Sequence, residues 1–560
     1  MTTYYVSKST DNGMVVGSDA NAGTSLALPK LTISNAVTTA STGDTIYVNK
    51  GSWTGAELGA TNYVNINGKT LTLLPYNAAD NVTIVGSASL PQIRVQAAPS
   101  SVETIIGAFI LDGGNLTSTN GVQIDETVGV DTRVTLAGTT IRDQTTAHIS
   151  DNALRGIVKL YNVTFAGTIR NGYAGAATFG AAAAKSTIVN GLALSCTFNT
   201  ASATCTVIGG TRSAVSANNW TVDVRNVTGT IGVGSACDTS SALRVVAPIA
   251  ASPWVVSNNS FNMSNTVATA ADSYGIFIRN GASGDTAKSN NGFCQNNTIG
   301  NFCYAGFGIR IGDGATVYDV DNATVSGNRV FGIYSATATP HGISIGAVTG
   351  GNVYNNEVFG SYVGFLLAGN QGANVFNNLS YGCYGPDFYA KGCGATTRPT
   401  IAHNIAVADN TYVGAKRDFG MFSAVINGAT NSTAVLFQNN IGYALNDFSG
   451  WASVPASQAA TYTGNNYFSA YTLPSSVAPF AFAGTATVTG DTFFDPGFAL
   501  PKAKGLLTLN SRIFRPKRSF MNRGAQLKNA AGAAITLPDY NGAPRSQPPT
   551  HGPFEVSQAP

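Results

Sequence analysis

From residue 257 onward one short pattern keeps returning: one or two asparagines, then an alternating apolar stretch. The copies begin at Ser257-Asn258-Asn259-Ser260-Phe261 and Gln295-Asn296-Asn297-Thr298-Ile299, and continue through Ser326-Gly327-Asn328-Arg329-Val330, Tyr354-Asn355-Asn356-Glu357-Val358, Phe376-Asn377-Asn378-Leu379-Ser380, Ala402-His403-Asn404-Ile405-Ala406, Gln438-Asn439-Asn440-Ile441-Gly442 and Gly464-Asn465-Asn466-Tyr467-Phe468. A second motif alternates with them: Tyr274-Gly275-Ile276-Phe277-Ile278, Phe307-Gly308-Ile309-Arg310-Ile311, His341-Gly342-Ile343-Ser344-Ile345, Val363-Gly364-Phe365-Leu366-Leu367 and Phe419-Gly420-Met421-Phe422-Ser423. Period two predicts strands, each about five residues long and bounded by Gly, Asn or Asp. Copies recur every roughly 22 to 38 residues, the range of solenoids. With no helical segment between strands, Rossmann and TIM arrangements are excluded. A coil whose turns stack so that equivalent strands pair in parallel, about 4.8 Å apart, fits. Asparagine suits its corners because it tolerates left-handed backbone and its amide can bond the same amide one turn away.

Between about 100 and 250 the copies are less regular, as at Asp112-Gly113-Gly114-Asn115, Leu160-Tyr161-Asn162-Val163-Thr164-Phe165 and Val224-Arg225-Asn226-Val227-Thr228. They read as rungs with longer excursions. Ala174 to Ala184 is either a loop or tightly packed turns.

The chain's opening carries a resemblance. Tyr4-Tyr5-Val6-Ser7, the Gly17-to-Thr24 stretch, Leu31-Thr32-Ile33-Ser34-Asn35-Ala36 and Gly43-Asp44-Thr45-Ile46-Tyr47-Val48 resemble the start of right-handed parallel β-helix proteins of the pectin-lyase-like superfamily. Leu507-Thr508-Leu509-Asn510-Ser511, Asp539-to-Arg545 and Gly552-Pro553-Phe554-Glu555 resemble its closing segment. The resemblance implies an all-β fold: a right-handed, single-stranded parallel β-helix with a short N-terminal capping helix. Ile33, Ala36, Val37 and Ala40 lie at helical spacing, in agreement. The expected organisation is a first strand, capping helix and first rung over 1–55, a β-helix body over 56–500 and a C-terminal capping segment over 501–560. The superfamily includes lyases, hydrolases, esterases, adhesins and phage tailspikes, so fold alone does not give function.

Composition narrows the field. Only 11% of the 560 residues are charged, five are Glu, and the formal net charge is +3. Helix bundles need more charged helix formers, and disorder needs low hydrophobicity with high charge, whereas 44% of this chain is hydrophobic. A general nucleic-acid binder needs a basic footprint that is missing. No apolar run reaches the roughly 18 residues of a membrane span. The N-terminus, MTTYYVSKST, has no basic stretch followed by an apolar one, so the expected route is synthesis in a host cytoplasm without a signal peptide. The seven cysteines (Cys196, Cys205, Cys237, Cys294, Cys303, Cys383, Cys393) contain no Cys-x-x-Cys and read as small buried hydrophobes. Neither a phosphate-binding glycine loop nor a metal-ligand spacing around His148, His341, His403 or His551 is present.

With Ile276, Ile278, Ile309, Ile311, Ile343 and Ile345 facing inward, Phe277, Arg310, Ser344, Leu366 and Phe422 form an expected outward column. Such a column predicts a contact surface: a glycan-binding groove, or a face covered by a loop or a neighbouring subunit. Glycoside hydrolysis needs two carboxylates flanking the bond, roughly 5–10 Å apart. The densest carboxylate cluster is Asp313, Asp319 and Asp321, with Asp285 about one rung earlier. These four are the candidate catalytic residues, with Glu357 and the Arg417-Asp418 pair as further candidates, although Asp-Gly and Asp-Asn are also ordinary turn chemistry. The basic group Arg512, Arg515, Lys517, Arg518 and Arg523 reads either as a surface that docks the C-terminal end onto an acidic partner or as a solvated cap that blocks end-to-end strand pairing.

Two functional classes follow. One is a bacteriophage virion surface protein, a tailspike-like or decoration spike, that binds host-cell glycans through the β-helix face. The other is a polysaccharide-degrading hydrolase or lyase on the same fold. Expected partners are host surface polysaccharide and other virion proteins, with a homotrimer as one form of assembly and with neither nucleic acid nor membrane insertion. No cofactor or metal is expected; Ca²⁺ enters only for a lyase.

Overall fold

A computed structural model describes residues 1–59, 61–96, 102–117, 119–125, 131–152, 156–169, 185–198, 204–211, 222–233, 239–246, 254–265, 272–279, 289–302, 306–312, 320–332, 340–346, 348–369, 372–391, 399–408, 421–425, 435–444, 452–454, 459–469, 480–482 and 485–489. The chain divides into two compact units, Met1–Ala271 and Asp272–Pro560. Each is a right-handed parallel β-helix.

The first unit opens with strand Thr3–Val6 and one short helix, Ile33–Thr39. The helix forms where the spacing predicts it. Thr32 caps it by accepting from the Asn35 N–H at 3.2 Å, and Ile33, Ala36 and Val37 turn into the core. The Asp19 carboxylate receives the N–H groups of Leu31 and Thr32 and the Thr32 hydroxyl, fixing the entry to the helix. Three strands then make one rung, as in Val64–Asn67, Thr72–Pro75 and Val82–Val85. Each pairs in parallel with its counterpart one rung on: Val64 with Ile93, Thr72 with Ile105, Thr83 with Ile110. The irregular copies at 160 and 224 are ordinary rungs. Gly156–Tyr161 turns at Asn162 into Thr164–Ile169, and Val222–Arg225 turns at Asn226 into Thr228–Val233.

In the second unit the doubled asparagines divide the work of one corner. The first residue of each pair takes left-handed backbone: Asn296, Asn355, Asn377 and Asn439 have φ of 55–58°, and His403 fills the slot at 57°. The second points inward and is fully buried. Asn297 Nδ2 donates to Asn328 Oδ1 at 2.9 Å, Asn328 to Asn356 at 2.8 Å, Asn356 to Asn378 at 2.9 Å, and Asn378, Asn404 and Asn440 each to the next at 3.0 Å, ending on Asn465. Each Oδ1 also accepts the backbone N–H of the preceding ladder residue, and each Nδ2 from Asn328 on also reaches a carbonyl of the preceding rung, as Asn356 reaches Val325 O at 2.9 Å. A buried amide thus has all of its bonding capacity used. In the first unit the inward slot is mostly apolar, with Phe109, Val163, Leu192 and Val227, and becomes Asn only at Asn259.

Simple alternation fails where outward residues are covered as well. Ile405–Ala408, Val435–Gln438 and Ile441–Ala444 are buried at every position, so their outward residues are covered too. Outward Phe359, Tyr381, Val407 and Tyr443 join Leu379, Ile405 and Ile441 in one apolar cluster. The Ala174–Ala184 stretch, the basic group Arg512 to Arg523, His551 and the closing segment after 501 lie outside the described residues.

Two measurements check this account. Asn356→Ala strands the Asn328 donors and is expected to cost about 2–4 kcal/mol, whereas Asn355→Gly, at a left-handed corner that glycine tolerates, is expected to stay within about 0.5 kcal/mol; equilibrium denaturation distinguishes them. His148 is fully buried against Phe165, and its Nε2 lies 2.9 Å from Ala166 O. Burial holds its pKa down to about 4. The unfolded chain therefore binds a proton below about 6.5 that the folded chain refuses until about 4. The stability that neutral His148 contributes is complete above about 6.5 and is lost as pH falls toward 4. His148→Gln is expected to flatten that part of the profile of unfolding midpoint against pH.

Candidate functional site: an aromatic strip on the second unit

The strands Asp272–Arg279, Phe307–Ile311, His341–Gly346, Val363–Ala368, Phe388–Lys391 and Phe422–Val425 run side by side in parallel. Their inward isoleucines are buried as the alternation predicts. Glycine recurs near their starts because the chain is crowded there. A Cβ on Gly342 would lie 2.3 Å from Val358 Cγ1 and 2.6 Å from Gly364 O, and one on Gly364 would lie 2.3 Å from Ser380 Oγ.

Register gives two outward columns. One reads Phe277, Arg310, Ser344, Leu366, Tyr389, Ser423. The other reads Tyr274, Phe307, His341, Val363. Their rings join into a ladder. Tyr274 stacks on Phe277 at 5.1 Å and on Phe307 at 5.5 Å, Phe307 meets His341 at 4.8 Å, His341 meets Tyr362 at 6.1 Å, and Tyr362 meets Tyr384 at 5.9 Å. The Arg310 guanidinium lies over two of these rings, 4.7 Å from the centre of Phe307 and 5.2 Å from that of Phe277, and its Nε donates to Gly312 O at 3.2 Å. Burial of its ring, and then the nearby Arg310 and Lys391 cations, hold the His341 pKa down to about 4, so this imidazole is neutral at physiological pH. Burial, followed by neighbouring Tyr362, raises the Tyr389 pKa, so its phenol keeps its proton.

Three points of the expected column change. Phe422 does not belong to it: register aligns Phe422 with Phe388 and Phe365 on the inner face, where it is 0% exposed, and puts Ser423 in the column. The Phe-Gly-Met-Phe-Ser copy misleads by one residue because this strand begins at Phe422 itself. Nor is the column open along its length. Phe277 is 7% exposed, Leu366 8% and Ser344 2%, because the rings of the two columns cover one another; Arg310 and Tyr389 keep partial exposure. Tyr389 is missing from the sequence reading because its strand follows Pro386-Asp387 without the aromatic-Gly-Ile signature. The alternation Phe388-Tyr389-Ala390-Lys391 is the signal that finds it.

Of the four candidate aspartates only Asp321 lies among the described residues, and it is not on the strands of this strip. Asp321 sits in a separate three-stranded sheet, in register with Asn290 and Thr349 and followed by left-handed Asn322. Asp285, Asp313, Asp319 and the Arg417-Asp418 pair lie outside the described residues. Glu357 is buried in an ion pair with Arg329 at 2.8 Å, on a different sheet. Among the described residues no group of three or more His, Cys, Asp or Glu is placed to hold a metal ion. Cys196, Cys294 and Cys383 are buried and form no disulfide; burial pushes the Cys196 thiol up to about 12.

No family model and no curated protein matches the chain. Solved structures similar to it include the complex of XylC with xylose (11% identity, 99% of this chain and 98% of that one, TM-score 0.31). Others are the GH136 lacto-N-biosidase from Eubacterium ramulus (11%, 87% and 68%, 0.29) and the A-module of Azotobacter vinelandii mannuronan C-5 epimerase AlgE6 (12%, 83% and 93%, 0.29). At such TM-scores these likenesses decide nothing about the chemistry of this chain.

The corrected register is open to a direct check. Phe422→Ala empties a core position and is expected to cost about 3–5 kcal/mol, while Arg310→Ala, on the outer face, is expected to cost about 1 kcal/mol. Comparable losses in denaturant titrations would reject the register.

Proposed function

We propose that the protein is directed at carbohydrate and lays a polysaccharide along the strip formed by Phe277, Arg310, His341, Tyr362, Tyr384 and Tyr389. The observation that carries this reading is the ring ladder with the Arg310 guanidinium lying over two of its rings. Sugars present hydroxyls at fixed spacing around apolar C–H faces, so a binder needs rigid apolar area edged by directional donors and acceptors. The partly exposed Arg310, the tyrosine hydroxyls and neutral His341 supply the edge, and the partly exposed rings of Tyr362, Tyr384 and Tyr389, backed by the buried stack of Tyr274, Phe277 and Phe307, supply the base at little cost in side-chain entropy.

The finer setting is also a proposal: attachment of a bacteriophage virion to a host-cell glycan, together with other virion proteins. The low charge and the three described cysteines, buried and in no disulfide, support folding in a reducing host cytoplasm. Cleavage of the bound chain is the second reading. It shares the strip and requires a carboxylate pair in addition.

Affinity electrophoresis in gels cast with bacterial surface polysaccharides tests both readings. Arg310→Ala and Tyr389→Ala are each expected to weaken retardation about tenfold with the unfolding midpoint nearly unchanged. Unaltered retardation by both variants overturns the strip as the site. Release of reducing ends or unsaturated uronates from the same polysaccharides would establish the cleaving reading, and Asp321→Asn is expected to leave any such turnover intact.

A further inference from the structure

We propose that the first rungs of the Met1–Ala271 unit carry a second saccharide platform, built from Tyr5, Tyr47 and Tyr76 and independent of the strip. Tyr5 and Tyr47 are register partners, and their rings stack at 6.1 Å with 24° between planes. The Tyr76 ring stands edge-on to both at 6.0 Å. All three are partly exposed, while Val6, Ile46 and Val48 beside them fill the core. Tyr5 and Tyr47 are thus held on strands, and Tyr76 directly follows the strand Thr72–Pro75.

Each tyrosine leads within a few residues into one groove of about 600 Å³. Tyr5 is followed by Lys8 and Ser9, Tyr47 by Lys50, and Tyr76 by Asp80 and Asn81; Asp11 also lines it. Its walls are held by a polar network. Asn12, in left-handed backbone at φ 57°, donates to Asn49 Oδ1 at 2.7 Å and to Asp80 Oδ2 at 2.6 Å, and accepts from Asn77 Nδ2 at 2.8 Å.

Charge selects the class of ligand. Lys50 pairs with Asp11 at 3.0 Å and Lys8 with Glu57 at 2.8 Å. Both cations are compensated locally, so the groove offers donors and acceptors side by side with no uncompensated cation to hold an anion, and among the described residues no group of three or more His, Cys, Asp or Glu is placed to hold a metal ion. Three hydroxyl-tipped rings are also too little apolar area for the core of a stable protein interface, which takes about 800 Å² from each partner. An uncharged polyhydroxylated chain matches both halves: its C–H faces meet the rings, and its hydroxyls meet Lys, Asp and Asn. The structure thus points to a neutral oligosaccharide.

The test uses the full chain carrying Arg310→Ala and Tyr389→Ala, so that the strip is disabled, on an array of neutral and acidic glycans. Retained binding to one or more neutral glycans is expected, with at least about a tenfold loss when Tyr47→Ala is added. Tyr47→Phe, which keeps the ring, is expected to retain binding within about threefold and guards against a folding defect. No neutral glycan bound on the disabled-strip background, or binding indifferent to Tyr47→Ala, overturns the platform. Either result leaves the strip to be judged by the gels, where the Tyr5, Tyr47 and Tyr76 positions are unaltered.

Discussion

The second unit depends on one repeated interaction: the amide of a buried asparagine bonded to the same amide one rung away. Burying an amide is costly unless all of its donors and acceptors are met. Here they can be met only if the next rung places its own asparagine in the same corner, at the same height and in register. The ladder from Asn297 to Asn465 is therefore a register device as much as a stabilising one. A strand that slipped by a residue would present an apolar side chain to an amide and turn its outward residues inward. The left-handed residue before each ladder asparagine turns the backbone so that the amide points into the corner.

Fixed register on the inside has consequences outside. Because equivalent strands align residue for residue, any outward position repeated from rung to rung becomes a column, and columns of rings become continuous surfaces. Tyr274, Phe277, Phe307 and His341 touch for this reason, as do Tyr5 and Tyr47 at the start of the chain. Tyr274, Phe277, Phe307, His341, Tyr5 and Tyr47 all sit on strands. Rigid strand-borne rings suit a ligand that is itself a repeating, polyhydroxylated chain, and neutral His341 beside Arg310 shows how far stacking has dried the strip.

Much of the fold was legible. Period-two stretches behind doubled asparagines announced the strands, the absence of helices between them announced the coil, and Ile33, Ala36 and Val37 announced the cap. The site was legible only in part. Phe277, Arg310, Ser344 and Leu366 were found because their motifs share a glycine followed by an alternating apolar run. Tyr389 was not, because Asp387-Phe388 replaces that signature, and Phe422 was misplaced because a similar pattern occurs one residue out of step. Short motifs identify strands reliably, but a period of two makes a one-residue error indistinguishable from the opposite face.

By itself the sequence determined the type of fold, the identity of the corner residues and the inward isoleucines, because these follow from local backbone preference and from alternation along one strand. Tertiary structure alone decided which outward residues are exposed. Phe277 and Leu366 point away from the core yet are covered, because the rings of the adjacent column lie against them. Ile405–Ala408 is buried on both sides for the same kind of reason. Exposure is a property of neighbours that are distant in the chain, and spacing along one strand carries no record of them. Asp321, close in number to Arg310, likewise belongs to another sheet.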